Sequence, residues 1–192
     1  YKIILEIEMM NNKINFILLM ILLAGCSKKD VHLEEDLSPR FEKAMGYFDK
    51  GKYSRAKDEF DYIIMADPGS KISNESQYYM AESMFQIEEY DKASIAFDRY
   101  VRFSPDYLKI EKARYRICKC AINLSNSYQR EQSQTHRALE QLQMFIEDFP
   151  ESDLVEDADD AMLTLRLKLA KKDYEVGRMY LKLEEYESAL IY

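Results

Sequence analysis

Alanines, aromatic residues and prolines recur along this chain at an interval of 37 residues (Ala44 to Ala81), which restricts the folds available to it. The first copy comprises Ala44, Tyr53, Ala56, Phe60, Ile63 and Pro68. The second comprises Ala81, Tyr90, Ala93, Phe97, Tyr100 and Pro105. The third, with eight extra residues before its threonine, comprises Cys118, Thr135, Ala138, Leu142, Phe145 and Pro150. A fourth begins with Gly177, Tyr186 and Ala189. A fixed interval of this length is typical of solenoids, in which small identical units stack in a row.

The spacing within each copy resembles the tetratricopeptide (TPR) pattern of a small residue, then Ala-x3-Phe, then Pro. Ala44 and Ala56 fall on opposite helices of one hairpin, where small side chains let the backbones approach closely. Phe60 lies four residues after Ala56 and therefore shares its helical face. Pro68 ends the second helix because proline cannot continue the hydrogen-bond ladder. The pattern predicts an all-α, TPR-type helix–turn–helix solenoid of about four repeats, the last incomplete. An irregular helical bundle with coincidental spacing is the alternative.

The repeat positions also predict where the helices begin and end. We expect helix pairs at 38–49 and 53–66, 73–87 and 90–103, and 107–124 and 134–148, then a long helix at about 152–183 and another from 186. The repeat domain is expected to cover 40–192, with repeats at 40–68, 73–105, 107–150 and 152–192.

Residues 147–160 carry eight acidic residues and no basic one. Carboxylates at a helix start complement the helix macrodipole, so this segment is expected to open the long helix, with Ser152 or Asp153 as its N-cap. The alternative is that the segment is a docking surface for a basic partner.

The N-terminal region has the layout of a signal peptide. Lys13 precedes an apolar run from Ile14 to Leu23, and small residues follow. This run is shorter than the roughly 20 residues that a comfortable bilayer span requires. Residues 1–9 fit no signal layout and lack an initial methionine, so we expect an upstream over-extension with the true start at Met9 or Met10.

The segment Leu23-Ala24-Gly25-Cys26 resembles the bacterial lipobox. The resemblance implies that residues 1–25 are a signal peptide and that Cys26 carries several acyl chains, which anchor a protein stably without a spanning helix. Ser27, in place of an aspartate, favours export to the outer membrane by the same resemblance. The charged segment 26–39 is then a tether. The alternative is an ordinary secretory signal with a chance cysteine.

Composition and motifs give no indication of catalysis. The net charge of −8 disfavours nucleic-acid binding, which requires clustered Lys and Arg. Cys118 and Cys120 lie two residues apart and point in different directions on a helix, and Cys118 occupies a small-residue position that burial explains. His32 and His136 have no Cys or His cluster near them in the sequence. We therefore predict a binding protein without catalytic residues, metal or cofactor.

The most plausible ligand-binding positions follow the same 37-residue interval. They lie on the first helix of each repeat, three residues before or one residue after the small position, and comprise Phe41, Met45, Tyr78, Glu82, Tyr115 and Lys119. First-helix positions can line the concave face of a TPR solenoid, and aromatic residues can stack on an extended peptide. The alternative is that the aromatic residues are core residues.

A lipobox followed directly by these repeats resembles the BamD family, the lipoproteins of the β-barrel assembly machinery. The more specific shared elements are Gly51-Lys52-Tyr53-Ser54-Arg55-Ala56, Asp67-Pro68-Gly69-Ser70, Tyr90-Asp91-Lys92-Ala93 and Phe149-Pro150-Glu151-Ser152. Members of that family carry about five repeats, so the resemblance implies that this chain is truncated in its fourth.

The resemblance also implies location and partners. The protein would be lipid-anchored at the periplasmic face of the outer membrane, without nucleic acid as a partner. Its partners would be a BamA-like barrel subunit and unfolded outer-membrane β-barrel proteins. A pilotin-type TPR lipoprotein that assists secretin or pilus assembly is the alternative.

Overall fold

The computed structural model describes residues 36–192, a single compact unit of eight helices without a strand. The predicted signal peptide and Cys26 lie outside these described residues. The helices are α1 Ser38–Asp49, α2 Tyr53–Ala66, α3 Lys71–Gln86, α4 Tyr90–Phe103, α5 Tyr107–Leu124, α6 Ser133–Asp148, α7 Val155–Lys182 and α8 Tyr186–Ala189. Each helix packs against the next one along the chain, and α1 also contacts α3. This arrangement confirms the predicted solenoid of TPR-type helical hairpins.

The small repeat residues lie where the helices approach each other most closely. The first core cluster contains Ala44 and Ala56 around Phe60, and the second contains Ala81 and Ala93 around Phe97. All of these side chains are fully buried. The third cluster, between α5, α6 and α7, is built in the same way from Cys118, Ala138, Leu142, Phe145 and Ala158. Each of the first three hairpins therefore has its own apolar core.

Three helix starts, those of α3, α6 and α7, differ from the predicted positions by one to three residues, and two of the differences have a local reason. Helix α3 begins two residues before the predicted position because Ser70 caps it, its hydroxyl accepting a hydrogen bond from the Ser73 N–H at 3.1 Å. Helix α7 begins at Val155, and its N-cap is Leu154, which makes no side-chain capping bond. Ser152 lies before the helix, where its hydroxyl accepts a hydrogen bond from the Leu154 N–H at 3.1 Å and donates one to Glu111.

Three of the four hairpin turns share a backbone conformation, which the residue type indicates only at Gly51. Gly51, Glu88 and Glu184 have φ angles of 69°, 63° and 61°, in the left-handed region. Each lies two residues before the tyrosine that opens the next helix. Glycine adopts this conformation without steric cost, whereas a glutamate there costs about 1–2 kcal/mol. The turn is therefore a feature of the repeat, which is retained even where the residue type does not favour it.

The extra residues of the third repeat form an ordered connection between α5 and α6. Helix α7 holds this loop, because the Lys168 ammonium donates to the Ser125 hydroxyl at 2.6 Å and to the Asn126 carbonyl at 3.2 Å. Within the loop, the buried Gln132 amide donates to the Ser127 carbonyl at 2.8 Å. The insertion thereby fastens the third hairpin to the helix that follows it.

Candidate peptide-binding face

The predicted ligand-binding residues lie on the first helices of three successive hairpins. We call the surface formed by α1, α3 and α5 the first-helix face. Helix α1 carries Phe41 and Met45, α3 carries Tyr78 and Glu82, and α5 carries Tyr115 and Lys119.

Two ion pairs join α3 to α5 on the first-helix face. Glu75 pairs with Lys109, and two helical turns further along Glu82 pairs with Arg116 at 2.6 Å. The spacing of seven residues is the same on both helices, so the pairs stack in the same register. These pairs fix how neighbouring repeats are aligned along the face.

Glu82 is held firmly but contributes almost no surface. It is 5% exposed, and its Oε1 also accepts a hydrogen bond from the Gln86 amide at 3.3 Å. Its second carboxylate oxygen is buried and has no hydrogen-bond partner in the described structure. Glu82 therefore aligns Arg116 and is not itself accessible to a ligand.

The aromatic residues of the face are packed between helices to different degrees. Tyr78 is partly buried, with its ring centroid 5.9 Å from Phe97 and 5.4 Å from Tyr100, and burial raises the pKa of its hydroxyl to about 12. Tyr115 is only 7% exposed and lies against Phe145 at 5.2 Å. Burial, followed by the nearby Asp157 carboxylate, raises the pKa of Tyr115. Tyr115 therefore contributes mainly to the third core.

The first hairpin places its two candidate residues at the edge of its core. Phe41 is partly buried, with its ring 5.7 Å from Phe60 and 6.3 Å from Tyr79. Met45 is also partly buried and packs against the same cluster. Both keep some surface open to solvent, as Tyr78 and Lys119 do.

A row of cations along α5 completes the face, and it was missed in the sequence. The residues share one helical face through spacings of three, four and three, and are Lys109, Lys112, Arg116 and Lys119. Lys112 and Lys119 form no ion pair within residues 36–192. Their spacing was visible in the sequence and could have indicated this row.

These cations lie beside the aromatic rings. The Arg116 guanidinium is 4.9 Å from the Phe85 ring centroid, and the Lys119 ammonium is 5.3 Å from that of Tyr115. The first-helix face thus combines aromatic and cationic groups, which can bind an apolar side chain and a carboxylate side by side.

Possible metal ligands and two cysteines are among the described residues. Among them, no group of three or more His, Cys, Asp or Glu side chains could hold a metal ion. Cys118 and Cys120 are free and buried, and burial raises the pKa of both thiols to about 12, so they stay protonated at neutral pH. In the same range, none of the helices has the length and apolar character needed to cross a membrane.

Comparison with known families identifies the chain. The family model named YfiO and described as an outer membrane lipoprotein matches residues 34–191, most of the sequence. The chain belongs to this family. The match covers every helix of the YfiO-type solenoid, including the whole first-helix face.

Several proteins similar to this chain carry the name outer membrane protein assembly factor BamD. The protein of Rickettsia prowazekii (strain Madrid E) is 26% identical over 164 residues, which cover 84% of this chain and 65% of the relative. That of Neisseria meningitidis serogroup B is 24% identical, over 86% of this chain and 66% of the relative. That of Caulobacter vibrioides is also 24% identical, over 83% of this chain and 54% of the relative. These relatives confirm the predicted resemblance to BamD, and the chain spans about two thirds or less of their length.

A solved structure, the MamA RS-1 ArsTM double mutant, is also similar. It aligns with a TM-score of 0.47 and 16% sequence identity, over 81% of this chain and 89% of that one.

Proposed function

We propose that this protein is an outer-membrane lipoprotein that serves as a non-enzymatic scaffold in the assembly of outer-membrane β-barrel proteins. The observation that carries the proposal is the YfiO family match over residues 34–191, with relatives named outer membrane protein assembly factor BamD. A solenoid of helical hairpins suits this role because it presents a long surface to extended chains and to partner subunits.

The first-helix face is where we propose that unfolded barrel proteins bind. The partly exposed Phe41, Met45 and Tyr78 provide apolar contact area for aromatic residues near the C-terminus of a barrel protein. The unpaired ammonium groups of Lys112 and Lys119 would attract the terminal carboxylate. A BamA-like barrel subunit is the second proposed partner, and it would receive the bound substrate.

Reversing the charge of the α5 cations tests this binding mode. The double variant Lys112→Glu/Lys119→Glu is expected to weaken binding of a labelled barrel C-terminal peptide by about tenfold, or 1.4 kcal/mol. The physical reason is that two ammonium groups beside the carboxylate become two repelling carboxylates. Fluorescence anisotropy would measure the affinity. Amidation of the peptide C-terminus should remove most of the difference between the variant and the unchanged protein.

The matched control is Lys50→Glu/Lys52→Glu, which changes the net charge equally at exposed residues outside α5. If both double variants lost the same peptide affinity, general charge repulsion would explain the result and the proposed site would be excluded.

Tyr78→Ala should weaken peptide binding by about 1–3 kcal/mol, a range typical of an aromatic hot spot. Unchanged affinity with a large drop in melting temperature would instead place Tyr78 in the core alone.

Attachment to the outer membrane is proposed to depend on Cys26. Cys26→Ala removes the thiol that would carry the lipid, so the variant should incorporate no labelled palmitate and should no longer sediment with membranes. The control is Cys118→Ala, which leaves the lipobox intact and should retain both properties. Palmitate labelling that persists in Cys26→Ala would exclude this anchor.

Affinity purification of the natural full-length protein from cells tests the function as a whole. We expect a BamA-like barrel subunit and immature barrel proteins to co-purify. Co-purification of secretin or pilus subunits in their place would show that the protein is a pilotin-type lipoprotein and would overturn the assembly role.

A further inference from the structure

A concave surface lies between the start of α5 and the turn that joins α6 to α7. Its volume is about 290 Å³. We call it the acidic cleft, and its lining residues are Tyr107, Glu111, Asp148, Phe149, Pro150, Glu151, Ser152 and Asp153. None of these residues belongs to the set proposed for barrel-protein binding on the first-helix face.

The cleft contains an aromatic platform. The Phe149 ring is buried in the third core, 5.4 Å from Phe145, and it supports the Tyr107 ring at 5.8 Å. Tyr107 itself is 64% exposed, and its neighbours Phe103 and Leu108 are exposed as well. An exposed tyrosine ring supported by a buried ring offers a partner a preformed surface for stacking.

Carboxylates surround this platform, and one of them is fixed in place. Glu111 accepts a hydrogen bond from the Ser152 hydroxyl at 2.5 Å, which ties the start of α5 to the turn. Asp148 pairs with Arg114 at 3.0 Å. Within residues 36–192, Glu111, Glu151 and Asp153 have no cationic partner. The cleft therefore carries uncompensated negative charge around an aromatic ring.

The acidic residues of the cleft lie before the first turn of α7. The acidic residues in the first turn of α7 are Glu156 and Asp157, and the N-cap residue Leu154 makes no side-chain capping bond. Glu151 and Asp153 precede the helix and cap none of its N–H groups. The favourable interaction of acids with a helix start falls off within the first turn. Glu151 and Asp153 thus line the cleft without forming a capping bond.

We propose that the acidic cleft docks a basic segment of a partner protein. The stem and head group of an arginine or lysine would lie on the Tyr107 ring, and the charged group would pair with Glu111, Glu151 and Asp153. Flanking apolar residues of the segment would cover Phe103 and Leu108.

Charge complementarity selects this occupant. A second copy of this chain also carries a net charge of −8, and anionic lipid head groups or phosphates would be repelled by the same carboxylates. This proposal does not depend on the assembly role, because it concerns a different surface and a different ligand chemistry.

The test uses the purified full chain and a fluorescein-labelled nine-residue peptide of alternating arginine and leucine, in about 0.15 M salt, where the Debye length is about 8 Å. The unchanged protein should bind this peptide and should not bind the version with glutamate in place of arginine. Glu151→Lys/Asp153→Lys should weaken binding about tenfold or more, because close charge pairs become repulsive. Tyr107→Ala should weaken it about threefold or more without lowering the melting temperature, since the ring is mainly exposed.

The matched control is Asp49→Lys/Asp58→Lys, two exposed acids on α1 and α2 whose reversal changes the net charge equally. It should weaken binding less than about twofold, because charges farther away than a Debye length are screened. Equal weakening by both double variants would overturn the proposal in favour of general attraction to an acidic protein. It would also be overturned if the unchanged protein failed to bind the peptide, or if sedimentation velocity showed a dimer that Glu151→Lys/Asp153→Lys dissociates.

Discussion

Replacing Phe97 by alanine is expected to lower the free energy of unfolding by about 3–5 kcal/mol. The Phe97 ring is fully buried at the centre of the second core, where it packs against Tyr78 and beside Ala81 and Ala93. Alanine would remove the ring and leave a cavity that rigid neighbouring helices can fill only in part. The loss is a large share of the 5–15 kcal/mol by which a typical domain is stable. Urea denaturation followed by circular dichroism would measure it.

The same helix offers a matched control. Phe103, near the end of α4, is 73% exposed, so Phe103→Ala makes the same chemical change without opening a cavity. Phe103→Ala should lower the free energy of unfolding by about 0.5 kcal/mol or less. If the two variants unfolded at the same urea concentration, the assignment of Phe97 to the core between repeats would be wrong.

Replacing Arg116 by alanine is expected to have the next largest effect. It should lower the free energy of unfolding by about 2–3 kcal/mol. Arg116→Ala would leave the Glu82 carboxylate buried without its cation, and such losses reach about 3–5 kcal/mol for fully buried pairs. The expected value is lower here because the Arg116 side chain is 30% exposed, so water can partly replace it. Thermal or urea denaturation at neutral pH would measure the loss.

Two further variants separate the buried charge from the lost side-chain packing. The double variant Arg116→Ala/Glu82→Gln also removes the buried carboxylate charge. It should therefore recover at least about 1 kcal/mol of the free energy of unfolding that Arg116→Ala loses. Arg102→Ala breaks an exposed pair with Asp98 on one helix and should cost about 0.5 kcal/mol or less. No recovery in the double variant would contradict the view that Glu82 is destabilising once it is unpaired.

The sequence predicted the helix order well because the repeat consists of local signals. Small residues such as Ala56 and Ala93 mark helix contacts, and prolines such as Pro68 mark helix ends, so each hairpin could be placed from its own residues. The start of α7 was harder to predict, since the Ser152 hydroxyl bonds to the Leu154 N–H before the helix and also to a distant glutamate. Its contact with Glu111, 41 residues earlier, exists only in the folded chain.

The candidate site was harder to predict from the sequence, because it also depends on contacts between distant residues. Helical periodicity shows which residues share a face, but it does not show whether that face meets solvent or the next repeat. Tyr115 and Lys119 lie one turn apart on α5, yet Tyr115 is in the core and Lys119 is partly exposed. The Glu82–Arg116 pair joins two repeats, so it depends on how the helices rotate against each other. The 37-residue interval contains no information on that rotation.

The packing of each helix against its neighbour in the chain has a consequence for biogenesis. A protein whose contacts are mainly local has a low contact order, and such helical proteins fold in microseconds to milliseconds. The first hairpin can therefore form its core around Phe60 as soon as α3 has been synthesised and released. It does not have to wait for any later part of the chain. A protein built in this way would spend little time as an exposed unfolded chain.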